Sequence, residues 1–173
     1  MNTVLVAGHT KFFALAAFVP VLFISFTAAT GELLLSPDEY MAVKEQCRLV
    51  DVRSAEAFLA ERLPDSIWLA ATEFSRKDGS ASEKLPPAED LLIMLSDRGF
   101  GQDMRIVLYG ANGSAGDIVP VTRVFWALEF LGYTNISILD GGMSRWKEEG
   151  KPVITEAPTS SPPPTAIRPV PET

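Results

Sequence analysis

The sequence predicts an α/β domain in which helices cover both faces of a central parallel sheet. Short apolar runs typical of buried strands alternate along the chain with segments whose apolar residues recur at helical spacing. Such alternation is typical of parallel sheets, because each helix returns the chain to the start of the next strand. The 173 residues are 47% apolar and 21% charged, which suits one globular domain.

Four segments have the composition of buried strands. The clearest is 105–109, "RIVLY", and the others are residues 48–52, 66–70 and 135–139. Ligands of parallel sheets bind beyond the carboxyl ends of the strands. Asp51 to Arg53 and the loop from Gly110 are therefore expected at one rim of the sheet, where a ligand would bind.

Helices are predicted between these strands from capping residues and apolar spacing. Ser36 and Glu39 form a capping box at the start of a helix over 36–46, and Ser54 caps a short helix over 54–62. Further helices are expected at residues 86–99, from Pro120 to Gly132, and at residues 143–150.

Residues 1–29 have the pattern of a secretory signal peptide. An uncharged apolar stretch, residues 12–29, follows Lys11, and small residues lead up to a cleavage site after Ala29. We therefore expect an exported protein, periplasmic or secreted. The alternative is an uncleaved membrane anchor formed by residues 12–29, since this stretch approaches the length that spans a bilayer. Any contact with a membrane would be made through this segment.

The opposite end of the chain, residues 155–173, is rich in Pro, Ser and Thr. A segment of this composition cannot bury a core, so we expect it to be extended or disordered. The folded domain is accordingly expected at residues 31–154.

Charge and the scarce residue types exclude several classes of function. The net charge is −7, or −8 after removal of the signal segment, and no basic cluster points to a nucleic-acid partner. Cys47 is the single cysteine, so no intramolecular disulfide can form. The single histidine, His9, lies in the signal segment, which argues against imidazole catalysis and histidine-rich metal sites. We expect neither a metal nor a cofactor.

Several motifs resemble those of the rhodanese (sulfurtransferase) domain family. Residues 49–58, "LVDVRSAEAF", resemble its strand–Asp–x–Arg–helix signature. Residues 122–153 resemble the family more closely still, with Leu-Asp-Gly-Gly at 139–142 and Trp146 four residues later. The resemblance spans residues 35–153 and implies the rhodanese-like fold. Its details look most like the inactive N-terminal domain of tandem thiosulfate and mercaptopyruvate sulfurtransferases.

The resemblance also implies a chemistry for which this chain lacks the nucleophile. A sulfurtransferase carries sulfur as a cysteine persulfide at the start of the loop after the strand, where backbone N–H groups stabilise the thiolate. The matching position here is Gly110, so no catalytic residue is assigned. Cys47 precedes the strand 48–52, at the end opposite the rim, and a structural role is expected for it.

Two interpretations of the loop after the strand 105–109 remain open. It is either a relaxed surface loop or an anion pocket made of backbone N–H groups. The candidate residues of such a pocket are Gly110, Ala111, Asn112, Gly113, Ser114, Ala115 and Gly116. Asp117 argues against the pocket, because its negative charge would repel an anion.

At the rim, Asp51 and Arg53 are expected to form an ion pair or hydrogen bonds that hold the structure together rather than to act in catalysis. The family's Gly-His-Ile-Pro-Gly-Ala stretch appears here as residues 61–67, which keep only the character of Leu63 and Pro64. The residues near the expected site therefore depart from the family pattern, whereas the residues expected in the core match it.

Three further residues receive structural interpretations. Trp126 and Trp146 are expected to fill core or near-core positions. Arg145, which follows the Gly-Gly turn, is expected to be a solvated surface residue.

Three functions are consistent with these observations. The favoured one is an exported, non-catalytic rhodanese-like domain that binds or regulates an unknown protein partner. The second is a sulfurtransferase that uses Cys47 or the cysteine of a partner. The third is a protein that binds an oxyanion or another sulfur compound through the loop 110–118.

Overall fold

A parallel sheet organises the domain in this computed structural model, which describes residues 32–77, 83–112 and 114–156. The segments of the sheet are β1 (Leu34–Leu35), β2 (Cys47–Asp51), β3 (Ile67–Trp68), β6 (Arg105–Tyr109) and β7 (Ile136–Leu139), with a separate antiparallel pair β4 (Arg76–Lys77) and β5 (Glu83–Lys84). The spatial order of the main sheet is β1-β7-β6-β2-β3, and all neighbours are parallel. The prediction of a central parallel sheet is confirmed.

Helices connect these strands, and the first two begin at the predicted capping residues. They are α1 (Pro37–Val43), α2 (Ala55–Ala60), α3 (Ala88–Asp97), α4 (Ile118–Phe130) and α5 (Gly142–Glu148), with 3₁₀ turns at Lys44–Gln46, Ala71–Phe74 and Ala115–Asp117. The Ser36 hydroxyl accepts from the Glu39 N–H and the Glu39 carboxylate accepts from the Ser36 N–H, which is the predicted capping box. Ser54 caps α2 as expected.

Two hydrophobic clusters, one on each face of the sheet, make up the core. Alternate residues of the strands point to opposite faces, so Val50 and Leu108 belong to one cluster while Leu49 and Val107 belong to the other. The first cluster is covered by α3 and α4, and the second by α1 and α5. Helices therefore cover both faces, as the sequence predicts.

Several details differ from the sequence-based expectations. The short strand β1 and the β4–β5 pair are not predicted, because runs of two residues carry no periodicity that could be recognised. Cys47 is the first residue of β2 rather than a residue before it, although it still lies at the end opposite the rim. Gly142 begins α5 instead of completing the turn.

The N- and C-terminal predictions fall largely outside the described residues. The signal segment 1–29, residues 157–173 of the tail and Gly113 all lie there. Within the residues that the structure does describe, no helix is long and apolar enough to cross a membrane.

Candidate functional site

The carboxyl ends of β2 and β6 meet at one rim of the sheet. Asp51 and Tyr109 are register partners at these ends, and the N–H of Val52 donates to the Tyr109 carbonyl at 3.1 Å. The two candidate regions, Asp51–Arg53 and the loop from Gly110, therefore begin side by side. This is expected for strands that are neighbours in a parallel sheet.

Asp51 and Arg53 form a buried ion pair at this rim. The Asp51 carboxylate is fully buried, and it accepts from Arg53 Nε at 3.0 Å and Nη2 at 2.7 Å. Arg53 Nη2 also donates to the Glu61 carbonyl at 2.6 Å. Burial by itself lowers the pKa of Arg53, but the hydrogen bonds and charge of Asp51 outweigh it and leave the pKa raised. Because all these partners belong to the protein, the pair holds the rim together.

Tyr109 extends this polar network to the segment before β3. Its hydroxyl accepts from the Leu63 N–H at 3.2 Å and donates to Ser66 Oγ at 3.1 Å. The Arg53 guanidinium lies 5.6 Å from the centre of the tyrosine ring. Burial, and after it the charge of Asp51, raises the pKa of Tyr109, so the hydroxyl remains a proton donor.

One residue of the segment 61–67 has a left-handed backbone conformation. Asp65 has a φ of 61°, the left-handed region, at the place where the family stretch has the glycine after its proline. Aspartate is among the few residues that adopt this conformation at moderate cost. Aspartate at 65 is therefore compatible with the turn that the backbone makes here.

The loop after β6 directs its first carbonyl groups onto the start of α5. The Met143 N–H donates to the Gly110 carbonyl at 3.0 Å, and the Ser144 N–H and Oγ donate to the Ala111 carbonyl at 3.1 and 2.9 Å. A Cβ atom at Gly142 would lie 2.4 Å from the Gly110 carbonyl oxygen, so this close approach requires glycine at 142. The Gly-Gly motif thus has a steric role in holding the loop.

At Gly110, the residue that the sequence resemblance matches to the family nucleophile, little room is left for a side chain. A Cβ atom there would lie 2.7 Å from Cγ2 of Val121, 3.1 Å from the Asp117 carbonyl oxygen and 3.2 Å from Oδ1 of Asn112. Val121 is fully buried in α4 and cannot rotate away cheaply. A side chain at Gly110 would therefore require these neighbours to shift.

Asn112 turns the chain at this point. It has a φ of 54°, so the unusual backbone conformation falls on asparagine rather than on a loop glycine. Its Oδ1 atom is buried and has no hydrogen-bond partner within the described part of the chain. The side chain packs against the positions of Gly110 and Gly142, which adds to the closure.

The carboxylate of Asp117 accepts hydrogen bonds from inside the loop. Oδ2 of Asp117 accepts from the Ser114 N–H at 2.8 Å and from Ser114 Oγ at 3.1 Å. The residue also precedes the first turn of α4, where a negative charge is favourable. The loop therefore satisfies this donor with its own acid.

Cys47 lies far from this rim. Its thiol donates to the Val43 carbonyl at 3.2 Å, and burial raises its pKa despite an opposing effect of Arg105, its register partner on β6. A raised pKa leaves less thiolate, which is the reactive form. Four strand steps to Asp51 correspond to about 13 Å.

The three remaining residues, Trp146, Trp126 and Arg145, differ in their exposure to solvent. Trp146 is 1% exposed and fills the core, as predicted. The prediction for Trp126 is wrong: its side chain is 57% exposed on the outer side of α4, because the helix buries Val121, Val124 and Leu128 instead. Arg145 is partly exposed and forms ion pairs with Asp140 and Glu149.

Sequence reasoning missed Tyr109, Ser66 and Val121 as residues that shape the rim. A tyrosine at the end of an otherwise aliphatic strand is a usable signal, because a buried hydroxyl requires partners. No group of three or more His, Cys, Asp or Glu side chains is placed to hold a metal within the described ranges 32–77, 83–112 and 114–156.

Comparison with known proteins identifies the family. The model of the rhodanese-like domain matches residues 36–149, and the chain therefore belongs to the rhodanese-like domain family. It is similar to a Synechococcus elongatus protein whose name proposes thiosulfate sulfurtransferase activity, with 27% identity over 115 residues, 66% of this chain and 35% of that protein. It is also similar to the Bos taurus thiosulfate sulfurtransferase, with 25% identity over 99 residues, 57% of this chain and 33% of the bovine one.

The chain spans about a third of the length of these curated relatives. Among solved structures, the 3-mercaptopyruvate sulfotransferase of Escherichia coli aligns with a TM-score of 0.60 at 20% identity, over 73% of this chain and 52% of the other. A likeness at this identity establishes the shared fold.

We predict that Asp51→Ala destabilises the domain by about 3–5 kcal/mol, because it leaves the Arg53 guanidinium buried without its counter-charge. Chemical denaturation monitored by circular dichroism measures the effect. The control is Lys147→Ala, which removes the more exposed ion pair with Glu61 and should cost less than about 1 kcal/mol. Equal costs for the two variants would contradict a structural role of the rim pair.

We further predict that Gly110→Ala destabilises the domain by about 1–3 kcal/mol through the contact with Val121. The matched control is Gly101→Ala, where a Cβ would meet nothing within 4 Å and stability should be unchanged or slightly higher. Combining Gly110→Ala with Val121→Ala should cost less than the sum of the single changes. Strict additivity would contradict the proposed steric closure.

Proposed function

We propose that this rhodanese-like domain is non-catalytic and acts by binding or regulating a partner. The observation that carries the proposal is the closure around Gly110, where a Cβ would lie 2.7 Å from Val121 Cγ2. Sulfur transfer in this family requires a thiolate at that place, and neither a nucleophile nor the space for one is present. What the domain retains is a rigid rim and an intact core.

The electrostatics of the loop support the same proposal. The family chemistry stabilises a negatively charged persulfide with backbone N–H groups and the start of the following helix. In this chain, Asp117 accepts the Ser114 N–H at that place, so a second anion would be repelled and would have to displace it. This argues against the oxyanion-binding function that the glycine-rich sequence allows.

Sulfur transfer remains the alternative function, and the names of the relatives favour it. It would need Cys47 or the cysteine of a partner. Cys47 is unfavourable because burial raises its pKa and its thiol lies about 13 Å along the strand from the rim.

We also propose that the protein is exported, periplasmic or secreted, by the signal segment 1–29. The support is the apolar stretch 12–29 after Lys11 and the small residues before position 30. Intact mass of the exported chain tests it: the mature protein should begin at Thr30, and a chain retained in the membrane with residues 1–29 attached would favour the anchor.

An activity assay tests the proposed function. The purified protein and its Cys47→Ala variant should transfer sulfur from thiosulfate to cyanide no faster than the reaction without protein. Mass spectrometry after thiosulfate treatment should find no chain heavier by one sulfur atom. Enzymatic turnover that is lost in Cys47→Ala, together with a persulfide on Cys47, would overturn the non-catalytic proposal in favour of the alternative.

A further inference from the structure

The outer side of α4 carries an apolar stripe that the domain does not cover. Val119, Trp126 and Phe130 are 55%, 57% and 61% exposed. Residues seven and eleven positions apart on a helix lie within about 40° of one another around its axis, so the three form one line. The Trp126 and Phe130 rings stack with centroids 5.9 Å apart. Isolated exposed apolar residues are common, but an aligned aromatic stripe is typical of an interaction surface.

A groove runs beside this stripe. It has a volume of about 500 Å³ and is lined by Phe74, Lys84, Leu85, Val119, Thr122, Arg123 and Trp126. Of these lining residues, Phe74 is buried in the core, whereas Val119 and Trp126 are exposed. An open groove with an exposed tryptophan on its wall is the geometry that recognises proline-rich segments in polyproline II conformation.

We propose that this groove, the Trp126 groove, is a binding site for a proline-rich peptide and that residues 162–171 of the same chain occupy it. These residues, "PPPTAIRPVP", lie outside the described part of the chain and are the proline-rich segment that the proposed function leaves without a role. The site lies on α4, and the proposal does not depend on whether the loop after Gly110 is catalytic.

The spacing of the tail residues matches the spacing of the stripe. A polyproline II helix has three residues per turn and rises about 3.1 Å per residue. Pro164, Ile167 and Val170 would therefore lie on one edge, about 9 Å apart. Val119 and Trp126 are separated by about 10 Å along α4. Two consecutive apolar residues of the tail can thus contact these two residues of the groove at the same time.

The anchor point of the tail gives it sufficient reach. The backbone of Ile154 forms an antiparallel bridge with the backbone of Arg62. In addition, Arg62 Nη1 donates to the Glu156 carbonyl at 2.7 Å. From Glu156 an extended tail spans about 34 Å to Ile167 and about 43 Å to Val170, which is comparable with the width of the domain. A domain of this size is about 35 Å across. Tethering gives an effective concentration in the millimolar range, so modest intrinsic affinity suffices for occupancy.

Quenching of Trp126 by acrylamide tests the proposal in the full chain. Replacing Ile167 and Val170 by Ser should raise the quenching constant of Trp126 roughly twofold or more, because the tail then leaves the ring. The Trp126→Phe chain gives the background from Trp68 and Trp146. A synthetic peptide of residues 157–173, added to the Ser-substituted chain, should restore protection with a Kd below about 1 mM.

Matched surface variants locate the site. In the Ser-substituted chain, Val119→Ser should weaken peptide binding by about fivefold or more, whereas Ile93→Ala, 55% exposed on α3 and outside the groove, should leave it unchanged. The proposal is overturned if the tail substitutions do not change quenching, if the peptide does not saturate, or if Ile93→Ala weakens binding as much as Val119→Ser. Protection of Trp126 that grows with protein concentration would instead identify a second copy as the occupant.

Discussion

The contact of the Gly110 position with Val121 is the constraint on which the rest of the site depends. The loop after β6 lies so close to the first turn of α4 that a Cβ atom at Gly110 would lie 2.7 Å from Cγ2 of Val121. The Gly110 and Ala111 carbonyl groups also accept from the first turn of α5. A side chain at Gly110 would therefore displace the start of α4 as well as the loop itself.

Electrostatics and packing reinforce each other at this rim. Asp117 provides the negative charge that the start of α4 favours, and the buried pair of Asp51 and Arg53 fixes the neighbouring strand end. The Asp51 carboxylate is paired with Arg53, and the Asp117 carboxylate accepts from Ser114. A rim in this state contributes to stability and shape, which is consistent with a domain that acts through its surface.

The sequence contained enough information to predict the fold. Capping at Ser36 and Ser54 and the apolar run 105–109 are local signals, and the structure confirms the elements that they predict. The closure around Gly110 could not be predicted, because it depends on the distance to Val121, eleven residues later. Trp126 was misassigned because tryptophan side chains are generally well buried. In α4, however, Val121 and Leu128 lie on the face that packs against the core, and Trp126 lies on the opposite face. The left-handed conformation of Asp65 could not be recognised from the sequence, because it is visible only in the backbone angle φ.

The central claim is that the loop after β6 is closed and supplies its own anion. The most direct measurement is a titration of the ¹⁵N-labelled protein with thiosulfate, following the backbone amides of Ser114, Asp117 and Ile118 by NMR. The account predicts no saturable shift of these amides at millimolar thiosulfate, because Asp117 already accepts the Ser114 N–H. Saturable shifts confined to residues 110–118 would contradict it and would indicate an anion site at the position of the family nucleophile.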